Sequence, residues 1–339
     1  MSIQKNISLK DFNTFGIEAA AQNFCIVKSK EDILRIIERQ FIHYRKHLFI
    51  GGGSNILLCG NVEGLIIKNE IEGVEIIEES EEFVFVKALS GTNWHQFVLF
   101  CVENNFGGVE NLSLIPGTIG AAPMQNIGAY GVELKDVFVE LEAIDIKTAE
   151  TKIFTKDDCK FAYRESVFKK EAKGKYFIYS VTFKLSKKPV ANISYGDIQK
   201  ILESKNITEP SVKNVSDAII EIRESKLPDP KQLGNAGSFF KNPEIDAELA
   251  VKLKADFIEM PSYALPNGKV KIPAAWLIEQ CGWKGKQSGN TGNHTKQALV
   301  IVNYGNATGD EIWQHALAVQ QSVKDKFAIT LEPEVNIIN

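Results

Sequence analysis

The chain has 339 residues, 44% of them apolar, and a formal net charge of -4. That length and apolar content suffice for sizeable cores in two or three domains, and the charge excludes a general basic field of the kind that holds nucleic acid or an anionic membrane, so an anionic ligand must be gripped locally. The opening MSIQKNISLKDFNTFGIEAA has no apolar core of signal-peptide length, and stretches such as FVLFCV fall far short of the roughly 20 residues of a membrane span, so a cytoplasmic protein is expected.

A short apolar run at 47–50 reads as a strand that enters the turn Gly51-Gly52-Gly53-Ser54-Asn55, with a second strand at 65–68 and a strand pair at 73–78 and 83–88. Trp94, Phe97, Val98, Cys101 and Val102 follow the i, i+3, i+4, i+7, i+8 pattern, which predicts a helix over 93–105. From 106 to 133 the chain is rich in Gly, Asn and Pro with little period, an irregular stretch long enough to imply a task. Strands are expected at 137–145 and 176–185 and a helix at 215–225, broken by LPDPK. Beyond the break the order changes to a loop (GNAGSFF), helices near 246–256 and 274–281, a strand at 298–303, a helix opened by a Thr308/Glu311 capping box, and a last strand over 329–335, the order of a separate α+β domain.

GGGSN after a strand can turn backbone N–H groups toward a diphosphate, because glycine permits close approach and Ser and Asn add donors. Ile56 stands where a dinucleotide fingerprint wants Gly or Ala, and no Gly-Lys-Ser/Thr follows, so a plain hairpin turn fits the motif as well. A second stretch, IPGTIGAAPMQNIGAYG, offers small residues and amides to a flat heterocycle, or is an ordered surface loop. Two such stretches ahead of one α+β domain favour a bulky nucleotide cofactor. The expected cofactor contacts are Gly51, Gly52, Gly53, Ser54 and Asn55 in the first, and Pro116, Gly117, Gly120, Gln125, Asn126, Ile127 and Gly128 in the second.

Arg164 in YRES can take a carboxylate by two parallel hydrogen bonds or serve in a surface ion pair. Ser238 in GNAGSFF has no G-x-S-x-G context, so a hydrolase elbow is not supported. Glu332 and Glu334, two apart in LEPEV, share a side of an extended strand, and either fits a buried site. The five cysteines Cys25, Cys59, Cys101, Cys159 and Cys281 form no C-x-x-C pair, and the five histidines are dispersed, so reduced thiols and no metal site are expected.

Taken in order, NTFG at 13–16, GGGSN, PG-x-x-G, QNIGAYG, YRES-x-F, SYGD, KLPDP, GNAGSFFKNP, AAWLIEQ and LEPEV make a specific set that resembles the UDP-N-acetylenolpyruvoylglucosamine reductase family from Asn13 to Val335. The resemblance implies an α+β chain with a two-subdomain FAD-binding fold of the vanillyl-alcohol-oxidase/PCMH type plus a C-terminal α+β substrate-binding domain. The corresponding division is 1–70 and 71–214 for FAD, 215–325 for substrate, and a C-terminal strand at 326–339 returning to the active site. It implies NADPH-dependent, FAD-mediated reduction of UDP-N-acetylglucosamine enolpyruvate to UDP-N-acetylmuramate by a catalytic trio of Arg164, Ser238 and Glu334. Tyr195, Arg223, Lys226, Asn242, Tyr263, Lys271 and Gln297 would bind substrate, with Tyr195 on the extra loop that one form of the family carries. FAD is expected to be noncovalent, NADPH to be co-substrate and the protein to be a monomer. An oxidase on the same flavin fold and a non-catalytic nucleotide-sugar binder are the alternatives, and 287–296 has no role beyond adjoining Gln297.

Overall fold

The computed structural model describes residues 2–39, 43–44 and 46–339. The chain divides into two compact units whose segments alternate along the sequence. The first comprises the stretch up to Ile7, Ala21–Gly52 and Glu63–Ser225; the second comprises Ser8–Ala20, Gly53–Val62 and Lys226–Asn339.

In the first unit, the strands His47–Ile50 and Val62–Asn69 run parallel in a four-stranded sheet completed by Ala20–Val27 and Gln4–Ser8. The helix Lys30–Arg39 buries Ile33, Ile36 and Ile37 among Val27, Leu65 and Ile67 of that sheet. Its spacing of three and four residues puts one apolar stripe on the strands and the charges in water. A five-stranded antiparallel sheet follows, in the order Thr151–Thr155, Phe138–Asp145, Tyr176–Ser186, Phe83–Leu89, Val74–Glu79.

The helix Trp94–Glu103 is capped by Asn93, whose side chain accepts the Gln96 amide, and all five residues of its expected apolar face are buried. Trp94 and Phe97 meet Phe183 of the sheet at ring distances of 5.9 and 4.7 Å. Each such side chain contributes about 1.5–3 kcal/mol by leaving water. The buried Trp94 Nε1–H donates to the Leu112 carbonyl at 3.0 Å, which fixes the start of the irregular stretch to this helix. The helix expected at 215–225 begins earlier, at Val212. Ser211 and Asn214 exchange side-chain-to-amide bonds there, a capping arrangement that adds a turn before the apolar period begins.

In the second unit, two expectations are corrected. GNAGSFF is not a loop: Gly234–Ser238 is a strand at the edge of a four-stranded sheet in the order Gly234–Ser238, Val300–Asn303, Thr291–Asn293, Gln287–Ser288. Its register shifts between Asn235 and Ser238, with Gly237 at φ +69°, so the glycines that argue against a strand build a bulge within one. The last strand is Asn336–Ile338, not 329–335, and it runs parallel to Ile56–Leu58. Pro333, which has no N–H, allows only an isolated bridge to Phe240 before that ladder starts. The helix Gly309–Phe327 opens on the expected Thr308/Glu311 capping box, with both reciprocal bonds formed, and buries Ile312, His315, Ala316, Val319, Val323 and Phe327. The segment 287–296 supplies a hairpin to the sheet, and its Asn293 donates to the Ala298 carbonyl at 2.7 Å.

Candidate functional site

In the first unit the two glycine-rich stretches meet. A Cβ at Gly51 would lie 2.4 Å from Thr118 Oγ1, and one at Gly52 would lie 3.1 Å from Gly117 Cα. Gly117, at φ +115°, and Gly120, where a Cβ would strike Ser90 Cβ at 2.7 Å, hold the second stretch in this close approach. The two stretches therefore pack main chain against main chain with no room for a side chain between them, a bare glycine cradle whose backbone donors suit a flat cofactor such as FAD. GGGSN is followed by the strand Ile56–Leu58 and not by a helix, so no helix N-terminus assists it. Pro116 lies exposed, Gln125 ends the 3-10 turn Ala122–Gln125, and Ile127 is buried.

Arg164 sits in a tight turn in which Ala162 and Glu165 bond each other's backbones at 3.1 and 3.2 Å, and it adopts φ +53°, a strained conformation for a side chain of its size. Its Nη2 donates to the Gly128 carbonyl at 2.5 Å, and its guanidinium lies 5.3 Å from the Tyr163 ring centre. Thus the YRES arginine is tied to the QNIGAYG stretch, a link the sequence did not reveal.

Tyr130 was not singled out by sequence reasoning, although it lies in QNIGAYG. Its ring meets Tyr195 edge-on at 5.3 Å, and its hydroxyl bonds the half-buried Arg223. Burial lowers the Arg223 pKa, the Tyr130 bond opposes that shift, and Nε has no protein partner among the described residues. A half-buried cation with an unused donor suits an anionic group such as a phosphate. His95, whose Nδ1 accepts the Leu114 amide at 3.0 Å, is pushed below the usual histidine range by burial and then by the Arg223 charge. Tyr195 itself is half exposed and opens the helix Gly196–Ser204.

In the second unit, Ser238 is exposed at the end of its strand, and the segment after it pairs with LEPEV. The Glu334 amide donates to the Phe239 carbonyl at 2.8 Å and the Lys241 amide to the Glu332 carbonyl at 2.9 Å, which runs the LEPEV segment alongside the chain that follows Ser238. Glu332 points outward, 74% exposed and 3.4 Å from Lys241 Nζ. Asn55 Nδ2 donates to the Glu334 carbonyl at 3.3 Å, and Gly53 is pressed so closely that a Cβ would lie 2.0 Å from the Phe12 carbonyl oxygen. Ser54 is half-buried in the turn between them.

Tyr263 and Lys271 face each other across paired strands. Asn242 Oδ1 accepts the Ala274 amide at 2.9 Å, so half of that amide starts the AAWLIEQ helix. Gln297 Oε1 accepts the Leu299 amide at 3.4 Å, and Lys226 ends the helix Val212–Lys226.

A family model described as UDP-N-acetylenolpyruvoylglucosamine reductase, C-terminal domain, matches residues 229–338, and one described as an FAD binding domain matches 21–153. A UDP-N-acetylenolpyruvoylglucosamine reductase of Flavobacterium johnsoniae is 51% identical over the whole of both chains. One of Amoebophilus asiaticus is 48% identical, again over the whole of both. The crystal structure of a reductase of this name from Thermus caldophilus shares the fold at a TM-score of 0.70 and 19% identity, covering 100% of each chain.

Proposed function

This chain belongs to the UDP-N-acetylenolpyruvoylglucosamine reductase family, and from that premise we propose that it reduces UDP-N-acetylglucosamine enolpyruvate to UDP-N-acetylmuramate, the lactyl ether of peptidoglycan precursor synthesis, using noncovalent FAD and NADPH. The observation that supports the site assignment is the bond from the Glu334 amide to the Phe239 carbonyl, which brings the chain at Glu334 against the residue that follows Ser238. We assign 1–70 and 71–214 to cofactor binding, 215–325 to substrate and 326–339 to the segment that brings Glu334 back.

The Gly51–Gly52 and Gly117–Gly120 cradle would hold FAD through main-chain donors. The chemistry supplied by bound FAD is the relay of hydride from NADPH to the terminal enolpyruvyl carbon. Negative charge then develops on the neighbouring carbon and its carboxylate, and the planar cation of Arg164 is suited to pair with it as it grows. Ser238 donates the proton to that carbon. A serine hydroxyl is a weak acid in water, so its proton must be replaced from solvent as it leaves, with Glu334 fixing the hydroxyl and relaying that proton. Arg223, with an unused buried donor, and Lys271, beside Tyr263, are placed to take the anionic parts of the nucleotide sugar. Cytoplasmic residence accords with five free cysteines and with the want of any helix among the described residues long and apolar enough to cross a membrane.

The test is spectroscopic. The purified protein should show a flavin band that NADPH bleaches and that returns anaerobically on addition of UDP-N-acetylglucosamine enolpyruvate. Oxygen consumption on a sugar without NADPH would indicate an oxidase, and lack of a flavin band even after FAD is supplied would indicate a binding protein.

A further inference from the structure

Asn126 lies at the centre of the QNIGAYG stretch, yet its side chain is 0% exposed and turned wholly into protein. Nδ2 donates to Glu133 Oε2 at 3.0 Å and to the Ala162 carbonyl at 3.1 Å, and Oδ1 accepts the Lys135 amide at 3.0 Å. Glu133 is in turn paired with Lys135 Nζ at 2.5 Å. One amide therefore fastens three segments of the first unit, and its left-handed backbone, φ +44°, closes the 3-10 turn before it.

One of those attachments, and the stretch of chain that continues from Asn126, converge on one arginine. Ala162 is the base of the turn whose reciprocal bonds with Glu165 hold Arg164 at φ +53°. Gly128, whose carbonyl takes the Arg164 Nη2–H, follows Asn126 by two residues on the strand of chain that Asn126 anchors. The same side chain thus bonds the base of the arginine's turn and fastens the stretch that leads to the carbonyl tethering its guanidinium. A strained left-handed arginine persists only where its surroundings over-determine it, and bidentate pairing with a carboxylate has a narrow geometry.

We infer that Asn126 is a positioning residue for Arg164, acting through the Ala162 carbonyl and the Gly128 carbonyl and not through contact of its side chain with the cofactor. This rests on the role proposed above for Arg164. A displacement of that guanidinium by about 1 Å is expected to slow the step it serves on the order of 100-fold, while FAD and its reduction by NADPH are untouched.

Asn126→Gly is the variant to make, because glycine keeps the left-handed backbone and removes only the three side-chain bonds. The holoenzyme is followed anaerobically by stopped flow in its two halves, flavin reduction by NADPH and flavin reoxidation by UDP-N-acetylglucosamine enolpyruvate, in the wild-type and Arg164→Ala backgrounds. The expected result is wild-type FAD content and reduction, reoxidation slowed about 10- to 100-fold, and no further slowing when the change is added to Arg164→Ala, since coupled residues are non-additive. Loss of FAD instead of rate, or equal slowing in both backgrounds, would overturn the inference. Wild-type reoxidation in Asn126→Gly while Arg164→Ala is slow would overturn the inference alone, whereas wild-type reoxidation in Arg164→Ala would overturn the reading beneath it. Asn126→Asp guards against a misfolded glycine variant: it keeps the shape but sets oxygen against Glu133 Oε2 and the Ala162 carbonyl, and should also slow reoxidation with FAD retained. A wild-type rate in that variant would overturn the inference as well.

Discussion

The turn that carries Arg164 and the strand that carries Ser238 present side chains by different means. Arg164 holds a strained backbone conformation in a turn closed by Ala162 and Glu165, the Ala162 carbonyl also accepts from Asn126, and the guanidinium is tied to the Gly128 carbonyl. Ser238 stands at the end of a ladder, its strain placed on Gly237, which tolerates φ +69° freely. The difference teaches that a large polar side chain needs third-party anchoring where a small one can borrow a neighbouring glycine.

The sharpest way to break the comparison is to remove both functional groups. Arg164→Ala and Ser238→Ala should each lower turnover about 10²- to 10³-fold with FAD retained, read by steady-state NADPH oxidation; normal turnover in either removes that side from the catalytic site.

Acid should act on both units, since His95 in the first and His315 in the second are each held below the usual histidine range. His315 packs beneath the sheet bearing Ser238, with Nε2 2.8 Å from Asn293 Oδ1 and its ring edge-on to Trp283. Burial, and secondarily the Lys286 charge, push its pKa down to about 4 from 6.5. Because the unfolded chain binds this proton more readily, stability is fully present above the unfolded pKa and is lost as pH falls from about 6.5 toward 4, by ~3 kcal/mol. Urea midpoints across that window should show the slope in wild type, and His315→Leu should flatten it while lowering stability at neutral pH by unpairing Asn293. An unchanged slope removes His315 as its source.

Smaller effects test the strain itself. Gly237→Ala meets nothing within 4 Å, so its expected loss of about 1 kcal/mol comes from φ alone. For the same reason Arg164→Gly should be more stable than Arg164→Ala by about 1 kcal/mol in thermal unfolding. Thr308→Ala should lose about 1 kcal/mol through its capping box without changing turnover.

Much of this was legible because local chemistry agreed with the fold. The apolar period of Trp94 to Val102 and the Thr308/Glu311 box state their elements outright. The strand Gly234–Ser238 was not legible, since its glycines serve a bulge that only the partner strand explains. Nor was the late start of the last strand, for Ile329, Leu331 and Val335 are buried by packing that carries no continuous ladder. At the site, motif residues could be named from their types, but Tyr130 and the second duty of Asn126 arise from pairings distant in sequence.

The second unit is stitched from separated pieces of chain, and the carbonyl of Glu334 accepts from Asn55 across a separation of 279 residues. Ordering that contact closes a very long loop, and contacts of such high sequence separation are of the kind that slows folding. On a ribosome, Glu334 is added 279 residues after Asn55, the residue that bonds its carbonyl. A fragment beginning at Lys226 would lack Ile56–Leu58, the strand on which the final strand pairs, and with it the register that presents Glu334.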